Sequence, residues 1–327
     1  MKKLFAWPLV AGALLAAALP ALAQAYDERP DVRAFIEELV ERHGFVESEL
    51  KQLFSRVQRV DPVLQSMEPA ERPSWQEYRA QFVNPRRLSG GLAFWKANRA
   101  SLARAERRYG VPAQYIVAII GVETNYGRNL GRWRVVDALA TLAFDYAPRA
   151  RYFRSELEQF LLLARDAGLD VFSLRGSYAG AIGIPQFMPG SLRRYGVDFD
   201  GDGAIDLRAS PSDAIGSVAN FLEQHGWRAG EPALLRAKSV PPAARAYADG
   251  SIEPRHRLAE LAAAGVEMEP PPAPETLGAL VLLGGEDYRV GLQNFYVITR
   301  YNRSALYAGA VCDLAQALAE GVQSAGK

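Results

Sequence analysis

One stretch of this chain leaves few choices about the fold around it. Val111-Pro-Ala-Gln-Tyr-Ile-Val-Ala-Ile-Ile-Gly-Val-Glu123 reads as a helix whose first turn suits Pro112. Ile116, Ile119, Ile120 and Glu123 follow the i, i+3, i+4, i+7 spacing that puts them on one face. Three isoleucines predict that this face is buried, so whatever packs over it must enclose a carboxylate too. Burial disfavours the charged form and raises the pKa. Gly127 is expected to end the helix, which sets Glu123 near the negative end of the helix dipole and pushes the same way. A carboxylic acid held protonated near neutral pH is what general-acid catalysis requires. The helix alone leaves a bland alternative open, a glutamate paired with a buried arginine or capping a neighbouring helix. The polar rim of Thr124, Asn125 and Tyr126 weighs toward function.

The rest of the chain has the material to enclose such a helix. Its 327 residues are 49% hydrophobic and 23% charged, ordinary for a globular protein. A formal net charge of +1 gives no bias toward nucleic acid. Residues 1–23 stand apart: Lys2 and Lys3, an apolar run from Leu4 to Leu22, then a small-x-small pattern at Ala21-Leu22-Ala23. This is the pattern of a secretory signal peptide cleaved near Ala23, and the break at Pro20 favours it over a membrane anchor. Without a cysteine at the junction no N-terminal lipid is expected, so the mature chain is expected to be soluble and without a stable membrane anchor. The single cysteine, Cys312, sits in an Ala/Val/Leu-rich stretch and reads as a small core residue.

Helical periodicity runs from Asp31 to Phe54, with Gly44 ending a first helix and Ser48 capping a second. It recurs at Trp75 to Phe82, Gly91 to Tyr109, Leu139–Phe144 and Tyr152–Ala167, with a stop at Gly168. Residues 228–290 are different, carrying most of the later prolines, a short helix around Arg257–Ala264, and two strands, Leu277–Leu283 and Tyr288–Val290, around Gly284-Gly285. The expected organisation is a leader (1–23), an N-terminal helical region (24–90), a core (91–227), a small α/β insertion (228–290) and a C-terminal segment completing the core (291–327).

Two further blocks carry chemistry. Gly176-Ser-Tyr-Ala-Gly-Ala-Ile-Gly-Ile-Pro-Gln-Phe-Met-Pro189 has three close glycines before a proline-led helix. It lacks the Gly-Lys-Ser/Thr of a phosphate loop, and with no strand expected before it, it is not a dinucleotide fingerprint. It reads either as close packing or as a polar wall offering Ser177 and Gln186. Asp198-Phe-Asp200-Gly-Asp202-Gly203 places acids at positions 1, 3 and 5 and glycine at 6, the pattern of a calcium loop. Ala209 stands where the usual position-12 glutamate would be, and Asp213 is the candidate late carboxylate. The alternative is a solvated Asx-rich turn. Lying away from the Glu123 helix, the loop is expected to be structural.

Taken together, Gly121-Val-Glu-Thr-Asn-Tyr-Gly127, Ser177 to Pro189, Val197 to Gly203, Asp213-Ala-Ile-Gly-Ser-Val-Ala-Asn220 and Asn294-Phe-Tyr-Val-Ile-Thr-Arg-Tyr-Asn-Arg-Ser304 resemble the lytic transglycosylase B family, from about Trp75 to the last helix. The resemblance implies a mainly α fold: a lysozyme-like helical catalytic core, an EF-hand-like calcium loop at 198–213 and a small α/β insertion. It implies Glu123 as acid/base, Ser177 as the contact of the substrate N-acetyl group, and Gln186 as a glycan-binding residue. It adds Asn302 with Tyr301 and Tyr307, Arg149 as a contact of the peptide stem, and Ca²⁺ held by Asp198, Asp200, Asp202, the Ala204 carbonyl and Asp213. It implies no organic cofactor, a periplasmic location, and peptidoglycan glycan strands and other cell-wall enzymes as partners.

Most glycosidases use two carboxylates. Here Asp137 and Asp145, the next acids along the chain, sit in no comparable motif. One carboxylate fits a substrate-assisted cleavage that leaves a 1,6-anhydro sugar on N-acetylmuramic acid. The alternatives are a lysozyme-type hydrolase and a non-catalytic peptidoglycan-binding scaffold.

Overall fold

The computed structural model describes residues 25–68, 71, 73–269 and 273–325, so the expected leader at 1–23 lies outside the described residues. The chain divides into two compact units after Val57. The expected boundary at residue 90 falls instead inside a helix of the second unit.

The first unit contains α1 (Pro30–His43) and α2 (Glu47–Arg56). Gly44 closes α1 in the left-handed conformation. Ser48 does not cap α2: Val46 holds the N-cap position and Ser48 lies within the first turn. Phe35 and Phe54 meet edge to face at 6.2 Å.

The second unit begins with α3 (Asp61–Gln65), α4 (Trp75–Phe82), α5 (Pro85–Ala97), α6 (Arg99–Tyr109) and α7 (Ala113–Thr124). Ser74 and Glu77 form a reciprocal capping box that fixes the start of α4. The single helix expected over 91–109 is two helices, because Asn98 turns its amide back onto the Phe94 carbonyl at 2.9 Å and breaks the run. Helix α7 is the centre of the unit. Ile116, Ile119 and Ile120 are 0% exposed, but so are Val117 and Ala118. The apolar stripe is thus one side of a helix buried on nearly all sides, because α5 and α6 pack against it along with two later helices, α11 (Pro211–Gln224) and α14 (Ala305–Ala325).

Between α7 and α11 come β1 (Trp133–Arg134), α8 (Val135–Asp145), α9 (Ala150–Asp166), β2 (Arg175–Gly176) and α10 (Pro189–Tyr195). β1 and β2 pair antiparallel, Trp133 opposite Gly176 and Arg134 opposite Arg175. A strand therefore does precede the glycine-rich block, though it is only two residues long.

The 228–290 region forms a five-stranded antiparallel sheet, not a lone hairpin. Its strands are β3 (Leu234–Ser239), β4 (His256–Arg257), β5 (Glu267–Glu269), β6 (Leu277–Gly284) and β7 (Asp287–Gly291), in the order β4-β6-β7-β3-β5. Leu235, Leu258, Leu261, Leu280 and Val290 make a core of its own, with α12 (Leu258–Ala263) on it. The chain then returns through α13 (Gln293–Ile298) to α14. Buried Asn294 closes the sheet's entry against its exit: its Oδ1 accepts from Arg228 N at 2.7 Å, and its Nδ2 donates to the carbonyls of Arg228 and Glu231, each at 2.8 Å. Asn294→Ala strands these three backbone groups. It should cost about 3 kcal/mol and lower the urea midpoint without abolishing cooperative unfolding. An unchanged midpoint would show that the clamp contributes nothing.

Candidate active site

Glu123 lies in the last turn of α7. Val122 and Thr124 beside it are buried, while Glu123 keeps a partial opening to solvent. Its Oε1 accepts a hydrogen bond from the Tyr307 hydroxyl at 2.7 Å, and Tyr307 on α14 is 2% exposed. Burial pushes the Glu123 carboxyl up to about 7, against the opposing pull of the Tyr307 hydrogen bond. The expectation from the sequence gave the direction. The structure adds the tyrosine, which tempers the shift and orients the carboxyl. Burial first, and the Glu123 charge second, hold the phenols of Tyr301 and Tyr307 well above the ordinary range.

The helix ends at Thr124, three residues before Gly127. Asn125 (φ 52°) is the cap, and Tyr126 (φ 63°) and Gly127 (φ 82°) continue in the left-handed region. A tyrosine with positive φ is uncommon. Its ring fills a slot left by glycines: a Cβ on Gly91 or Gly121 would collide with the tyrosine side chain, and one on Gly90 would crowd it at 3.2 Å. Arg87 of α5 donates to the Gly121 carbonyl and ties down the same turn.

The glycine-rich block is stitched to this turn and to the 301–307 segment. Thr124 Oγ1 donates to the Ile184 carbonyl at 2.8 Å and accepts from Gly127 N at 2.9 Å. Tyr301 donates to the Pro185 carbonyl at 2.8 Å, and its ring lies 6.5 Å from that of Tyr307 at 15°. Gln186, itself at φ 52°, donates through Nε2 to the carbonyls of Gly183 (2.9 Å) and Leu130 (3.4 Å). At the start of the block, Ser177 Oγ accepts from Ala179 N (3.2 Å) and Ala181 N (3.0 Å). With both lone pairs used, what that hydroxyl has left to offer is its proton. Among the residues expected at the site, Tyr307 is hydrogen-bonded to Glu123, Tyr301 is hydrogen-bonded to the Gln186 segment, and the two tyrosine rings stack on each other. Asn302 is exposed, next to Tyr301. Arg149 lies apart from these bonds, its guanidinium 4.5 and 5.1 Å from the ring centroids of Tyr152 and Phe153.

Tyr78 of α4, which the sequence reading did not single out, lies close enough to feel the Glu123 charge. It is half-buried, and its phenol is raised first by burial and then by the Glu123 charge. Nothing in the periodicity of α4 distinguishes it, since only the tertiary fold brings α4 to α14. The neighbouring acids do not join the site. Asp137 is 4% exposed and bound to Arg134 and to Gln58 N, and Asp145 faces Arg59 at 3.8 Å.

The acidic loop brings carboxylate oxygens of Asp198, Asp200 and Asp202 within 4.8 Å of one another. Amides of Gly203, Gly201 and Asp202 turn onto Asp198 and, despite some opposing desolvation, hold it below the usual range. Asp213 is different: it is 1% exposed, and its carboxylate accepts from the amides of Phe199, Asp200 and Asp206. Three of roughly four acceptor positions are thereby taken. The loop is less remote than the sequence suggested. Ile184 N donates to the Leu207 carbonyl at 2.7 Å, so the end of the acidic loop braces the segment that holds Gln186. Gly183 (φ 76°) is required there, since a Cβ would strike that same carbonyl.

Residues 27–316 match the model of the transglycosylase SLT domain. The chain is 42% identical over 308 residues to membrane-bound lytic murein transglycosylase B of Escherichia coli (strain K12), covering 90% of this chain and 84% of that protein. It is similar to the crystal structure of soluble lytic transglycosylase SltB1 from Pseudomonas aeruginosa, with 48% identity, a TM-score of 0.85 and coverage of 90% of this chain and 100% of that one. It is likewise similar to Escherichia coli lytic transglycosylase Slt35 in complex with calcium, with 43% identity, a TM-score of 0.81 and coverage of 90% and 94%. The mainly helical, lysozyme-like fold agrees with these relatives, and the chain belongs to the lytic murein transglycosylase B family.

Proposed function

We propose that this enzyme, a peptidoglycan lytic transglycosylase, cleaves the β-1,4 bond between N-acetylmuramic acid and N-acetylglucosamine with Glu123 acting first as acid and then as base. The observation that carries this reading is a single desolvated carboxyl, near neutrality in its titration and hydrogen-bonded by Tyr307. Protonated Glu123 donates to the glycosidic oxygen. The substrate's own acetamide supports the positive C1, and the free proton of Ser177 orients it through its carbonyl. Glu123, now ionised and steadied by the Tyr307 hydroxyl, takes the proton of the C6 hydroxyl as that oxygen bonds to C1. One C–O bond forms, one breaks, the proton returns to Glu123, and no water is consumed. Gln186, Tyr301 and Asn302 contact the sugar rings, and Arg149 meets the peptide stem.

Asp198, Asp200 and Asp202 fit a calcium ion: the donors are all oxygen, they converge, and Gly203 (φ 95°) makes the sharp turn. The Ala204 carbonyl completes the set, with the one acceptor position left on Asp213. Bound there, the ion supplies charge neutralisation and loop rigidity. Among the described residues no helix is long and apolar enough to cross a membrane. We place the mature chain in the periplasm, exported by its leader, where its substrate lies.

Digestion of purified sacculi with mass spectrometry tests the reaction. Anhydro ends are expected, whereas reducing ends would mean a hydrolase, and no cleavage would leave a binding scaffold. Glu123→Gln should lose about a hundred- to ten-thousandfold in rate while still binding glycan. Its stability carries a pH signature. A carboxyl whose folded pKa is raised to about 7 favours folding less as pH climbs from the unfolded value toward 7. Glu123→Gln should therefore match wild type near pH 4, below the unfolded value, and exceed it above neutrality by on the order of 3 kcal/mol in chemical denaturation. Equal stability at both pH values would show that Glu123 is not desolvated.

Tyr307→Phe removes the one influence that lowers Glu123. The alkaline limb of the rate profile, where the acid loses its proton, should move to higher pH as the rate falls. An unmoved limb would separate Tyr307 from the acid. Calcium should raise the melting temperature of wild type, and much less that of Asp198→Ala/Asp202→Ala. Identical melting with calcium and with chelator would rule out the metal site.

A further inference from the structure

The ribbon that leads into Ser177 borders a second site. A groove of about 840 Å³ runs along β1 and β2 and does not include Glu123. Four arginines line it, Arg59, Arg132, Arg134 and Arg175, against two carboxylates, Asp61 and Asp137. Those two carboxylates are already in ion pairs, Asp61 with Arg59 at 2.8 Å and Asp137 with Arg134. Arg132 and Arg175 have no carboxylate within ion-pair distance among the described residues, and both are exposed. They are nevertheless held. Arg175 Nη1 donates to the Arg132 carbonyl at 2.9 Å, and the Arg132 guanidinium lies 4.7 Å from the centroid of the half-buried Trp133 ring.

The ribbon that lines the groove also runs directly into the site. Gly176, opposite Trp133 in the ribbon, directly precedes Ser177, and the Leu130 carbonyl that receives Gln186 lies two residues before Arg132. Two ordered guanidinium groups without counter-charges call for a ligand with carboxylates, and a neutral glycan backbone offers none. The chain as a whole is nearly neutral, so this is a local feature and not a general affinity for polyanions. We propose that the groove binds the carboxylates of the peptide stem carried by a muramic acid of the strand in the cleft, with Trp133 as its apolar floor. It would be a contact additional to Arg149. This inference rests on the function proposed above.

The test compares glycan strands that carry stem peptides with the same strands after their stem carboxylates are capped as methylamides by carbodiimide coupling to methylamine. For wild type, Arg132→Gln/Arg175→Gln and Arg132→Lys/Arg175→Lys, anhydro products are followed to give kcat and KM. On peptide-bearing strands the Gln double variant should show KM raised roughly tenfold with little change in kcat. The Lys variant should keep most of the affinity, and the advantage of wild type should shrink as salt is added. On amide-capped strands all three should be alike. Equal losses on both substrates, or no loss on either, would overturn the proposal while leaving the reaction intact. Absence of anhydro products from wild type on both substrates would overturn the functional reading itself, and this inference with it.

Discussion

The structure turns on a carboxyl group brought out of water at the end of a buried helix. Removing Glu123 from solvent is costly if it is charged, and the protein accommodates it by holding the group near neutrality and by meeting it with one well-placed donor, the Tyr307 hydroxyl at 2.7 Å. Both halves are needed for the chemistry proposed above. Desolvation alone would raise the pKa further and leave a strong conjugate base but a carboxyl too reluctant to give up its proton. A strong donor alone would give a carboxylate ionised throughout. Their opposition leaves a group able to hold a proton at one step and lose it at the next.

The surroundings follow from that requirement. Four helices enclose α7, and the chain must then leave it sharply, through three consecutive left-handed residues with Tyr126 seated among glycines. Thr124 and Tyr301 pin the 184–185 backbone from two sides, and Leu207 holds it from a third. The acidic loop is in turn anchored by Phe199, whose ring packs under Arg104 at 4.0 Å and fills the space that the absent Cβ of Gly216 leaves. An ion in that loop would act on catalysis through this backbone chain and not by touching substrate.

Much of this was legible in sequence where local rules govern. Trp75–Phe82 emerges with the bounds its periodicity indicated, because a Ser-x-x-Glu capping box sets its start. The burial of Glu123 followed from helical spacing. What local rules could not supply were pairings between distant segments. Strands β4 and β5 are two and three residues long and exist only because β6 and β3 receive them. Tyr78 joins Glu123 only once α4 packs on α14. The helix end at Asn125 was missed because glycine is the default left-handed residue, and here Asn takes that role with Gly127 two residues later. Asp213, read as a candidate ligand, turned out to be mainly the hub for three loop amides.

The claim that one carboxylate does the work of two is most directly tested by following oxygen. Digestion of sacculi in water enriched in heavy oxygen, with mass spectrometry of the released muropeptides, reports whether water enters the new C1 bond. The account requires products one water lighter than a hydrolase would give and no heavy oxygen in them. Heavy oxygen at C1 would contradict it and make Glu123 the acid of a hydrolase.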